Sequence, residues 1–544
     1  MSDASPPPAG PAATTAPSPL VTTRRFLGVD IAPAVFVPSA ALILAFVVFG
    51  VAAPDTANDI FGEVQTWIVT NLGWLYTLAV SGFLVFVLWV GLGRFGHVRL
   101  GPPDARPRYS YVAWFAMLFS AGMGIGVLFW SVAEPLAHFA NPPYGDAETA
   151  EAARQAMVLT YLHWGLHGWA IYVVIGLGLA LMAYRLRLPM AMRSLLHPLI
   201  GDRIYGPIGH TVDVFAILGT MFGVATTLGI GAQQLGAGLE RLFGVSNGLS
   251  TQLWVIGLAT LAATISVVSG LDRGIKLLSQ AALYLGMAML GFVLIAGPTA
   301  YALTATVDSI GLYLQRLPET AFRGTTSADA TWMGNWTLFY WGWWLAWSPF
   351  VGMFVARVSR GRTVREFVLG VLLVPSLVIA LWYGVFGNIA LRRVLQGDDA
   401  FLDAAVNDVP VAIFDFFDAF PLTSVVSVVG LLVIVVYFVT SSDSAPFVID
   451  MLASHGDEDP PVGTRVFWAI SEGLVGGTLL VAGGLQAMRT FQITTGLPLL
   501  VLTVVTCVAI VTVLRREVDA PDRLGAERGI ATVGSAPTVT DGSR

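Results

Sequence analysis

The stretch FYWGWWLAWSPFVGMF at 339–354 places Trp341, Trp343, Trp344 and Trp347 within seven positions. At about 100° per residue, Trp336, Tyr340, Trp343, Trp344 and Trp347 share one face of a helix, and Trp341 points away. A second aromatic run, YLHWGLHGWAIY at 161–172, carries Tyr161, Trp164, Trp169 and Tyr172, with Gly165 and Gly168 between them. Glycine within a helix costs about 1 kcal/mol relative to alanine, but it lets another group approach the backbone. Two such helices facing each other would wall an aromatic box. Electron-rich ring faces hold a quaternary ammonium group, which has no N–H for an acceptor to select. The plainer reading is a packing face or an interfacial belt. Belt tryptophans cluster at helix ends, whereas these run down three turns.

The second run also holds His163 and His167, four residues apart. Zinc proteases use that spacing with a glutamate between the histidines. Here Trp-Gly-Leu intervenes, so the pair points to hydrogen bonding within a bundle.

Residues 120–126 read SAGMGIG, with glycines at alternate positions. Such a segment breaks a helix, and membrane transporters use broken helices to hold ions and charged groups. The plainer reading is close helix packing through small residues. WSPFVG at 347–352 suggests a second break. Thr220, Thr226 and Thr227 in one apolar run, and YFVTSSDS at 437–444 in another, offer hard oxygen ligands for Na⁺. Serine and threonine in such runs commonly bond their own backbone instead. Asp443, at the end of an apolar run, is expected to be functional or paired; we read it as a structural or gating partner.

These residues must be positioned by a membrane bundle. Of 544 residues 55% are hydrophobic and only 12% charged, about half the charged fraction of a soluble protein. Runs long enough to span a bilayer recur. We expect an all-α integral membrane protein with twelve transmembrane helices near 34–53, 75–93, 111–136, 157–183, 209–238, 251–270, 278–303, 334–357, 366–390, 422–452, 464–484 and 495–514. Two amphipathic stretches, 307–318 and 399–420, lie outside them. With the N-terminus inside, 22 of the 29 basic residues fall on the cytoplasmic side and 7 outside, as the positive-inside rule requires. Both termini would then be cytoplasmic. Residues 1–25 read as a disordered Pro/Ala/Ser/Thr-rich tail, 26–516 as the transporter domain and 517–544 as a short C-terminal tail. The lone Cys507 reads as a core hydrophobe. No phosphate-binding loop appears, which argues against ATP-driven transport and for a secondary transporter. No nucleophile–base pair or metal cluster suggests an enzyme. Breaks in spans 3 and 8 imply five-helix inverted repeats, spans 3–7 (about 111–303) and 8–12 (about 334–514), after two extra N-terminal helices.

GMGIG, HWxLHxWAIY and the tryptophan segment running into ARVSRGRTVRE resemble the betaine/choline/carnitine transporter family over roughly residues 25–515. The resemblance implies LeuT-like inverted repeats, the cytoplasmic (inner) membrane, a homotrimer, lipid as surroundings and no nucleic-acid partner. It implies a substrate site of Trp164, Trp169, Tyr172, Trp343, Trp344, Trp347, Met123 and Gly126. No cofactor is implied beyond Na⁺ as coupling ion. A first Na⁺ site would use Ser120, Met123, Tyr437, Thr440 and Ser441. A second would use Thr220, Thr227 and Phe350, but Val224 stands where sodium-coupled betaine carriers have a hydroxyl, with Thr226 and Thr227 able to compensate. Choline carriers resembling this family carry an acid at the place of Gly126, so glycine favours a zwitterion. The short tail of mixed charge argues against strong osmotic gating. The expected activity is Na⁺ symport of a trimethylammonium zwitterion, glycine betaine foremost. The alternatives are Na⁺-independent exchange of carnitine or choline type, or carriage of proline or ectoine.

Overall fold

The computed structural model describes residues 24–26, 29–122, 124–269, 272–454, 456 and 460–519. Eight helices are long and apolar enough to cross a membrane: Pro33–Ala52, Pro54–Leu92, Ala150–Tyr184 (taken through its break), Pro207–Phe243, Leu249–Ser269, Val364–Leu395, Thr423–Ala453 and Leu485–Asp519. Two bent pairs bring the number to ten among the described residues. Phe339–Val358 and Val462–Val481 occupy the remaining two of the twelve expected positions. They score lower because tryptophan, tyrosine and glycine count little on a hydropathy scale, and because Val462–Val481 carries Arg465 and Glu472. The chain is a multi-span helical membrane protein.

Contacts between helices come in reciprocal pairs. Leu166–Tyr184 packs along Phe339–Val358, and Ile125–Ala140 packs along Val364–Leu395. Pro207–Phe243 packs on Thr423–Ala453, and Leu249–Ser269 on Val462–Val481. Exchanging spans 3–7 for spans 8–12 turns each of these contacts into another member of the set. A two-fold relation between the repeats requires that pattern.

The breaks differ from expectation in two spans. The third span does stop at Gly122 and restart at Ile125. The fourth span is also broken, at Gly165, between Ala150–Trp164 and Leu166–Tyr184. The eighth is not broken at WSPFVG, because Phe339–Val358 runs through Pro349. A proline removes one i→i−4 bond, leaving the Leu345 carbonyl without its donor. The Ser348 hydroxyl donates to that carbonyl at 2.7 Å and fills the gap. The irregular turn lies upstream, a π-helical segment at Gly334–Leu338.

The seventh span ends at Ala296 rather than 303. After Gly297 and Pro298 the chain bends by 111° into Thr299–Ala321, which contains the amphipathic stretch 307–318. The other stretch folds as Asp399–Asn407 and Ala412–Phe417 against Ile125–Ala140. At the N-terminal end, Arg24–Phe26 pairs antiparallel with Val29–Ile31, so Arg24 and Arg25 of the expected tail form part of a strand. At the other end the last helix continues to Asp519. Ion pairs hold it there, Glu517 with Arg185 and Asp519 with Arg94.

Candidate functional site

Leu166–Tyr184 and Phe339–Val358 face each other along their aromatic sides. Trp344 lies with ring centroids 4.9 Å from Tyr172, 5.7 Å from Trp169 and 6.2 Å from Trp164. Trp343 stands 5.9 Å from Trp164, edge to face. Such tilted and edge-to-face rings leave π faces free for a guest. Gly168 makes the approach possible: a Cβ there would meet three indole atoms of Trp344 at 2.3–2.7 Å. The Trp344 indole is also pinned at its other edge, where Nε1–H donates to the His163 carbonyl at 2.8 Å. That carbonyl lies near the break at Gly165.

The rings line a cavity of about 850 Å³. It also touches Ser120, Gly124, Gly126 and Trp347, and it extends to Arg357, Asp443, Met451 and Arg465. The last four lie toward the side that carries most of the arginine-rich loops. Gly126 is close-packed: a Cβ there would sit 2.6 Å from Trp343 and 3.0 Å from Trp164. Met123 lies outside the described residues.

The aromatic stripe divides. Trp343, Trp344 and Trp347 line the cavity, whereas Trp336 and Tyr340 pack beyond it against Trp130. Trp341, on the far face, stacks on His167 at 5.6 Å.

Of the oxygen ligands expected for a first ion, Ser120, Tyr437, Thr440 and Ser441 all line this cavity. The Thr440 hydroxyl donates to the carbonyls of Val436 and Tyr437 at 2.9 and 3.2 Å. Its lone pairs stay available to a cation. The second set meets the cavity only in part. Thr227 and Phe350 line the cavity, but Thr220 does not. Ala346 and Trp347 pack against Gly223, about one turn on from Thr220. Thr220 is buried with its hydroxyl unpaired, and Val224 is buried beside it in the helix. Thr226 does not line the cavity, and its hydroxyl accepts from Gln492 Nε2 at 2.5 Å.

The betaine/carnitine/choline transporter family model matches residues 34–519. The chain belongs to this family. An uncharacterised transporter of Mycobacterium tuberculosis is 46% identical over 505 residues, covering 91% of this chain and 84% of the relative. A glycine betaine transporter of Acinetobacter baylyi is 41% identical over 498 residues, covering 91% and 75%. A high-affinity choline transport protein of Escherichia coli K12 is 42% identical over 479 residues, covering 86% and 69%. Family members are transporters, not enzymes, and identity alone does not separate betaine from choline.

On the other side of the box, this transporter has a polar centre that sequence reasoning missed. Glu134 is fully buried. Its Oε1 lies 2.7 Å from His163 Nδ1 and 3.3 Å from His138 Nε2. Its Oε2 accepts from Trp164 Nε1 at 2.7 Å and from the Tyr340 hydroxyl at 2.5 Å. A carboxylate offers about four acceptor positions, and four donors from three helical segments fill them. His163 Nε2 completes the set at 3.0 Å from Thr337 Oγ1. Glu134, His138 and His163 also stand within reach of a common metal ion, but the bonds already satisfy the carboxylate. His163 thus bonds as expected, whereas both ring nitrogens of His167 are buried without partners. Arg489, expected outside, is close to the Trp130, Trp336 and Phe339 rings at 5.2–5.8 Å. An acid in an apolar run was the available signal for Glu134. Its partners lie 4 to 206 positions away, which no local spacing reveals.

Proposed function

We propose that this transporter carries a trimethylammonium zwitterion, glycine betaine foremost, in symport with Na⁺. One observation carries the reading: Trp164, Trp169, Tyr172 and Trp344 line one cavity at the break in the third span. The ammonium group sits among the ring faces. The indole N–H groups of Trp169 and Trp343 have no acceptor among the described residues, and they supply donors for the carboxylate of a zwitterion. The packing of Gly126 against Trp343 and Trp164 leaves no room there for an acid that would favour choline. The glycine betaine transporter among the relatives agrees with this reading.

Na⁺ is held by the oxygens of Ser120, Tyr437, Thr440 and Ser441, with Met123 at the break. An ion there orders the broken third span and favours the substrate-ready state, a population shift by differential binding. That only Thr227 and Phe350 of the second set line the cavity supports one coupling ion rather than two. Proteins of this kind reside in the cytoplasmic membrane with both termini inside, and the cavity then opens inward; assembly is as a trimer.

The test is uptake of radiolabelled glycine betaine into proteoliposomes under an inward Na⁺ gradient and under an equal K⁺ gradient. Saturable uptake with Na⁺ alone is expected, and Ser441→Ala abolishes the Na⁺ dependence. Uptake indifferent to the cation would replace symport with exchange.

A further inference from the structure

We propose that Glu134 makes the box selective for a cation; this rests on the reading of Trp164 as a wall of the substrate site. The Trp164 indole has two roles. Its ring lines the cavity, and its N–H donates to Glu134 at 2.7 Å. Glu134 itself does not line the cavity. The carboxylate therefore stands at the in-plane edge of the indole whose ring meets the guest.

Two effects follow. A hydrogen bond from an indole N–H to an anion pushes electron density toward the ring, which strengthens the ring's attraction for a cation. The buried negative charge also acts directly through a medium of low effective dielectric. The Tyr340 hydroxyl and the two histidines hold the carboxylate in place, so little reorganisation is needed when a cation enters. Arg489 opposes this field. It is partly buried, over Trp130, Trp336 and Phe339, and it also stays outside the cavity lining. The cavity's own charged residues, Arg357, Asp443 and Arg465, line its far end. The box thus takes its charge preference from a residue that never touches the solute. This is how a site with glycine at 126 attracts an ammonium group.

The experiment compares two ligands of one shape in isothermal titration of the purified full-length protein. Glycine betaine carries the ammonium; tert-butylacetate has carbon in its place and is neutral at that end. The measured quantity is the ratio of their affinities. A unit charge one ring away, partly offset by Arg489, shifts that ratio on the order of tenfold. Glu134→Gln is expected to lower the ratio by that amount, and Glu134→Asp, which keeps the charge, to weaken both ligands alike. Arg489→Gln is expected to raise the ratio, so a variant on the opposite side decides the matter if Glu134→Gln fails to fold. An unchanged ratio in Glu134→Gln, whatever the loss in both affinities, reduces Glu134 to a structural role and overturns the proposal. If choline binds in place of glycine betaine, the same ratio is read with choline and the alcohol bearing carbon for its nitrogen. Failure of the box itself shows separately, as unchanged betaine affinity in Trp344→Leu.

Discussion

Replacing Trp344 separates its ring face from its N–H group. The ring lies 4.9–6.2 Å from Tyr172, Trp169 and Trp164, and Nε1–H donates to the His163 carbonyl at 2.8 Å. Trp344→Leu keeps bulk and removes the π face. A desolvated cation–π contact contributes about 2 kcal/mol, so the Kd for glycine betaine should rise about 30-fold. Trp344→Phe keeps a face and loses only the hydrogen bond, worth about 1 kcal/mol, so its Kd should rise about fivefold. Isothermal titration of the purified variants measures both, with thermal melts to show that each is folded. If leucine and phenylalanine cost the same, the N–H bond and not the ring face matters. If leucine costs nothing, Trp344 is packing and the box is wrong.

Three further outcomes can be checked. Gly168→Ala should weaken betaine binding as Trp344→Leu does, because its Cβ would force the indole off contacts of 2.3–2.7 Å; titration showing wild-type affinity would mean the helices yield instead. Ser348→Ala should lower the thermal midpoint, since it strips the Leu345 carbonyl of the donor that replaces the proline's missing N–H, a loss of about 1 kcal/mol. An unchanged midpoint would show that the carbonyl finds another donor. Glu472→Met should raise the midpoint by the equivalent of about 1–3 kcal/mol, because both Glu472 oxygens are buried without a hydrogen-bond partner among the described residues and methionine has no strongly polar group to leave unpaired; a fall would show that its charge is compensated in the membrane.

Much of this protein is legible in its sequence. Composition and apolar run length forced a membrane bundle, because a bilayer leaves backbone polar groups no partner outside a helix or closed barrel. Helical periodicity put Trp343, Trp344 and Trp347 on one face, and the alternating glycines of GMGIG marked the broken third span. Those features are local: each follows from residues within two or three turns of each other.

Tertiary structure decided the rest. WSPFVG reads as a break, yet Ser348 repairs the proline's missing bond and the helix runs on. Thr220, Thr226 and Thr227 read as one ligand set, yet Thr220 is buried with its hydroxyl unpaired among the described residues, Thr226 is bonded to Gln492, and of the three only Thr227 meets the cavity. The stripe of Trp336 to Trp347 reads as one surface, yet half of it serves the cavity and half surrounds Glu134. A helix face is fixed by its own periodicity, but what that face meets is fixed by residues from other helices. Glu134, His163, Tyr340 and Arg489 are far apart in the chain and meet only when four helices pack, so their joint chemistry exists only in the folded bundle.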